Sequence, residues 1–119
     1  MDALTMGSEN SAKKRIHYDK LVRDKIPRII RESGKRCKVR KLSPEEYAEK
    51  LVQKLEEELQ EFIESRDKEE LADMLEVIEA IAKDLGTSWE EIERTRTSKR
   101  SNRGGFIRKI LLEWVEEDL

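Results

Sequence analysis

Apolar residues recur at helical spacing in several stretches of this chain, with short polar breaks between them. In YDKLVRDKIPRIIRESGK the repeating positions are Leu21, Val22, Ile26, Ile29 and Ile30. Pro27 suits a first helical turn, so a helix is expected from near Lys25 or Ile26, approached by KLVRD and ended by Gly34. CKVRKL follows and is too short to be more than an extended connector or an edge strand. SPEEY then reads as a helix start, with Ser43 as N-cap, Pro44 first in the helix and Glu46 three residues after the cap. Leu51, Leu55, Leu59 and Phe62 carry that helix to about Ser65, and ESRDK is the turn. Leu71, Met74, Leu75, Ile78, Ile81, Ala82 and Leu85 define the next helix, over about residues 68–85, closed by Gly86. Thr87 or Ser88 caps a further helix, SWEEIERTRTSKR; SNRGGF breaks the periodicity, and FIRKILLEWVEEDL is a final amphipathic segment.

The pattern predicts an all-α fold: a small helical bundle built around an antiparallel helix pair. The 119 residues suffice for one small core, with residues 1–17 as a flexible polar tail and 18–119 as a single domain. Aromatic content is only 5%, so the core must be aliphatic, the kind that an oligomer partner often completes. Charged residues reach 44%, well above the roughly 25% usual in globular domains, which points to long solvated helices.

The net charge of -2 gives no global basic field for nucleic acid. No apolar run approaches the ~18 residues of a membrane span, and the N-terminus lacks the apolar block of a signal peptide. Cys37, the one cysteine, can form no intrachain disulfide and no zinc site, so a cytoplasmic setting is the default expectation. His17, the one histidine, reads as lead-in rather than catalyst.

Chemistry enters at ELQEFIESRDKEELAD, residues 58–73. Glu58 and Glu61 are spaced ExxE; Glu70 and Asp73 are spaced ExxD. On a helical wheel at about 100° per residue, Glu70 falls inside the apolar arc of its helix, between Val77 and Met74. Asp73 lies at the edge of that arc, and Glu58 lies beside Leu51 and Phe62 at the edge of the preceding helix's apolar face, with Glu61 on the same flank. Two antiparallel helices packed on these faces bring four carboxylates toward one spot. Such a cluster needs a compensating charge, from Lys or Arg or from a hard divalent cation with oxygen ligands. Acids three apart on one helix point the same way, and paired acids on facing helices are an established way to hold a metal. Against this, acids are abundant throughout the chain, and most of those in LEEELQE are expected to be simply solvated.

Four motifs in order, KLVRDKIP (20–27), the ExxE and ExxD pairs, ELADMLEVIEAI (70–81) and KRSNRGGF (99–106), resemble the MazG-like nucleoside triphosphate pyrophosphohydrolases. The nearest likeness is to the short branch related to phosphoribosyl-ATP pyrophosphohydrolase, over about residues 18–113. The resemblance implies an all-α fold and Mg²⁺-dependent hydrolysis of a nucleoside triphosphate to monophosphate and pyrophosphate, with Mn²⁺ as a substitute ion. It implies a homodimer or homotetramer with active sites near subunit contacts. It assigns Glu58, Glu61, Glu70 and Asp73 to the metal, with Glu58 and Glu61 also catalytic. Lys99, Arg103, Gly104 and Gly105 match the family's basic, glycine-containing segment facing substrate phosphates. The eight residues between Glu61 and Glu70 make a shorter linker than is usual there, by near one helical turn, which keeps the faces in phase.

RGGF also suits phosphate on its own terms. Glycines let backbone amides approach an anion, and Arg103 offers a two-pronged fork. NRGG is equally an ordinary polar turn. In KLVRDK, Lys20, Arg23 and Lys25 read as phosphate contacts or, for Arg23 and Asp24, as a structural ion pair. Trp89, Trp114 and Phe106 are expected as core or interface anchors. The competing reading is a non-enzymatic oligomeric helical module whose segment FIRKILLEWVEE docks a partner. A third, nucleic-acid binding through TRTSKRSNRGG (95–105), conflicts with the near-neutral charge and scarce aromatics.

Overall fold

The computed structural model describes residues 13–119. The expected tail therefore lies mostly outside the described residues; residues 13–17 are exposed and without regular structure. Among the described residues every regular element is a helix. None of these helices is long and apolar enough to cross a membrane. The chain divides between Lys41 and Leu42 into two compact units.

The first unit contains α1, Ile26–Glu32. Pro27 occupies its first turn as the sequence predicts, but Lys25 provides no side-chain cap and the helix is short. Its end is tied by the Ser33 hydroxyl, which donates to the Ile30 carbonyl at 2.6 Å. Gly34 follows in the left-handed region, and Lys35 N–H reaches back to Ile30 at 3.3 Å. CKVRKL is a connector without strand structure. The Cys37 thiol, half-buried, faces the Pro27 carbonyl at 3.8 Å and so holds this connector against the start of α1.

The second unit is built on a helical hairpin, α2 (Pro44–Ser65) and α3 (Lys68–Asp84). The start of α2 is set by local chemistry. Ser43 Oγ accepts from Glu46 N–H at 3.2 Å, and Ser43 N–H donates to Glu46 Oε1 at 3.0 Å, a reciprocal capping box. Arg66 turns the chain in the left-handed conformation, and Asp67 Oδ1 caps α3 by accepting from Glu69 N–H at 3.1 Å. So short a link returns α3 antiparallel along α2. The hairpin buries Leu51, Val77 and Ala82, together with Glu58. Each such aliphatic side chain contributes roughly 1.5–3 kcal/mol, less for alanine, so this core is thin.

Gly86 stops α3 at φ +84°, where Thr87 N–H reaches the Ala82 carbonyl at 3.0 Å. Ser88 then caps α4, Trp89–Arg103, by accepting from Glu91 N–H at 3.2 Å. Here the sequence expectation needs correction. SNR does not end the helix; α4 runs through it to Arg103 and stops at Gly104, at φ +85°. Periodicity is silent over this stretch because α4 has no apolar residue after Ile92. The helix has no fully buried residue, touches α3 sparsely, and does not meet α2 among the described residues. Residues 104–119 form no helix or strand and are exposed throughout, so the expected amphipathic segment is not packed on an apolar surface of this unit.

Candidate metal centre

α2 and α3 face each other along the ridge that contains Leu51, Glu58 and Val77. Glu58 lies seven positions after Leu51, two helical turns, so both point into the same seam. Glu58 is 5% exposed, the one buried charged side chain among the described residues. The sequence places it at the edge of an apolar face; packing carries it inside. Its Oε1 pairs with Lys54 Nζ at 3.3 Å, one turn earlier. Lys54 is shared with Glu57, at 3.2 Å. Glu58 Oε2 is buried and has no hydrogen-bond partner.

Across the hairpin, Glu70 and Asp73 are half-buried on the first turns of α3. One carboxylate oxygen from each of Glu58, Glu70 and Asp73 lies within 4.8 Å of the others. The wheel reading of Glu70 and Asp73 is therefore realised in space: an ExxD pair on one helix meets an acid of the facing helix. Glu61 is exposed beside Glu58 and outside the three-oxygen group.

The electrostatics follow from that crowding. Burial raises the Glu58 carboxyl above its ordinary value; the neighbouring Glu61 raises it further, and Lys54 opposes both. Glu70 is raised by its partly desolvated position and then by the charges of Asp73, Glu58, Asp67 and Glu69. Lys54 offsets part of the Glu58 charge, and Glu70 is pushed the same way by the acids around it.

A hard divalent cation suits this donor set. All three donors are carboxylate oxygens, the ligands Mg²⁺ and Mn²⁺ prefer, and the unpartnered Glu58 Oε2 supplies a ligand atom without breaking a hydrogen bond. Lys54 is the residue the sequence reading did not name. Its signal was the Lys54–Glu58 spacing of one helical turn, present but indistinguishable from the many other such pairs in this chain.

Lys99 and Arg103 are not among the charges that act on Glu58 or Glu70. Lys99 and Arg103 are exposed on α4, and Gly104 and Gly105 are exposed at its end. Gly104 requires its positive φ to let the chain leave the helix, and a side chain there would be strained although space around it is open. Two shallow surface hollows accompany the helices. One, about 510 Å³, is lined by Glu93, Arg94, Thr97, Ser98 and Ser101. The other, about 370 Å³, lies between Tyr47 and the Glu76, Glu79, Lys83 side of α3. Neither includes an acid of the cluster. Comparison with protein-family profiles, with curated proteins and with solved structures gave no match.

Proposed function

We propose that this chain is a Mg²⁺-dependent nucleoside triphosphate pyrophosphohydrolase, acting as a homodimer or homotetramer in the cytoplasm. The observation that carries the reading is Glu58. A chain that needed only a stable hairpin gains nothing by burying a carboxylate with an unpartnered oxygen against two more acids. The four ordered motifs that resemble MazG-like enzymes supply the reaction class.

In this reading Glu58, Glu70 and Asp73, joined by Glu61, hold the ion through carboxylate oxygens. When bound, Mg²⁺ neutralises triphosphate charge and stabilises the departing pyrophosphate. Glu61 is the exposed acid beside the cluster, and with Glu58 it orients the attacking water and takes its proton. The water oxygen bonds to the α-phosphorus, the bond from that phosphorus to the α,β-bridging oxygen breaks, and pyrophosphate leaves with the electron pair. Lys99 and Arg103 reach substrate phosphates from α4; the Gly104 N–H is held by the Arg100 carbonyl at 2.8 Å, so Gly104 serves by turning the chain and Gly105 by offering its backbone N–H. The chemistry needs no side-chain nucleophile.

The test is pyrophosphate release from a panel of standard, deoxy and damaged nucleoside triphosphates and phosphoribosyl-ATP, with Mg²⁺ or Mn²⁺. Wild type is expected to release pyrophosphate from at least one. Glu70→Ala and Asp73→Ala are expected to be folded and slower by on the order of a hundredfold. Release from no nucleotide would reject the enzyme reading even if calorimetry shows Mg²⁺ binding. The second reading, an interaction module, would then stand, and it has its own observation: the exposed apolar segment after Gly104.

A further inference from the structure

Two apolar surfaces in the second unit are exposed among the described residues. The first is a face of the hairpin. On α2, Val52 and Leu59 each follow a buried residue, Leu51 and Glu58, by one position. They therefore lie about 100° round from the buried ridge, and Ile63 continues their row one turn later. On α3, Ile78 follows buried Val77 by one position, and Leu71 and Leu75 lie on its row. The rotation has the same sense on both helices. In an antiparallel pair it turns both rows to the same side of the hairpin. Val52, Leu59, Ile63, Leu71 and Leu75 are each 45–53% exposed along this double row.

The second surface is the segment after Gly104. Eight of its large apolar side chains, Ile110, Leu112 and Trp114 among them, are at least 66% exposed. Lys109 N–H bonds to the Phe106 carbonyl; beyond it, no backbone–backbone hydrogen bond is formed among the described residues. Trp114 and Phe106, expected as core or interface anchors, are not core. What remains for them is an interface.

α4 decides which one. It is polar all round beyond its first turn, touches α3 sparsely and does not touch α2 among the described residues. A helix of that character stands in solvent, held by its own charge pairs such as Glu93–Arg96, and can bridge between packed parts. Its 15 residues carry the chain about 22 Å from the end of α3 before the apolar segment begins.

We infer that α4 is a strut that carries residues 106–119 onto the double-row hairpin face of a second copy of this chain, and that two copies exchange these arms reciprocally. An extended arm of this length spans about 45 Å, enough to follow the roughly 33 Å of α2. Exchange about a twofold axis covers both exposed surfaces of both chains at once. The five face residues and eight arm residues offer on the order of 100 Å² each, together above the ≈ 800 Å² per partner of a standard stable interface.

The experiment uses the full chain. In a Trp89→Phe background Trp114 is the single indole. Sedimentation across micromolar concentrations should show a dimer, with Trp114 emission shifting to the blue as it forms. Leu112→Asp in the arm and Leu59→Asp in the face should each weaken association at least tenfold, the loss typical of a hot-spot residue. Both positions are exposed, so helical circular dichroism should be unchanged. A Cys37→Ser chain carrying Leu59→Cys, mixed with a Cys37→Ser chain carrying Leu112→Cys, should give cross-links between unlike chains with a bismaleimide reagent. A monomer with an exposed indole at every concentration overturns the proposal. So does a dimer insensitive to Leu112→Asp, in which the faces meet without the arms. So does a link formed within single chains when both cysteines are placed in one, because the arm then returns to its own hairpin.

Discussion

At the residue scale the decisive side chain is Glu58. Its carboxyl is held above the ordinary 4.5 by burial and by Glu61, and Glu70 is raised in the same direction. An acid with a raised folded-state value takes up its proton more readily folded than unfolded. Its favourable contribution is complete below about pH 4.5 and is lost as pH rises through the raised values. Metal-free protein in a chelator should therefore melt at a lower temperature near pH 7 than near pH 5. Mg²⁺ should recover several degrees near pH 7 and little near pH 5, because protons then compete for the same oxygens. Glu58→Gln should flatten both the pH dependence and the Mg²⁺ response. Differential scanning calorimetry with and without Mg²⁺ reads all of this. An equal Mg²⁺ shift in wild type and Glu58→Gln would show that the ion binds elsewhere.

At the scale of elements, helix starts were legible because their causes are local. Ser43, Pro44 and Glu46 build a complete capping box from neighbouring residues, and Asp67 and Ser88 cap the next two helices. Ser43→Ala should cost about 1 kcal/mol by removing the acceptor for Glu46 N–H, measured by urea denaturation with an unchanged m-value. A cost near zero would mean that α2 is held by the hairpin and not by its start. Helix ends were read less well where the pattern falls silent. α4 extends through Ser101, Asn102 and Arg103 because no breaker precedes Gly104, yet none of these residues has an apolar position to count. The acids were legible in part. Glu70 betrayed itself by standing among apolar residues, whereas the depth of Glu58 depends on how closely two helices approach, which spacing does not encode; its partner Lys54 stands one turn earlier, a spacing too common in this chain to single out.

At the scale of the whole molecule, the all-helical class followed from periodicity, but the fate of residues 106–119 did not. An amphipathic pattern tells a segment to find an apolar surface without saying where, and the hairpin's own exposed rows look the same in sequence as core positions. The thinness of the core has a further result. Among the described residues only three apolar side chains and one acid are fully buried, so Glu58 takes up a large share of the deepest part of the seam. Leucine at that position would fill the seam and remove a desolvated charge. A mutant library screened for heat resistance with no demand for activity should therefore enrich Glu58→Leu early. The survivors would be sturdier helical hairpins that no longer respond to Mg²⁺, and sequencing them would show what this chain gives up in robustness to keep an acid in its interior.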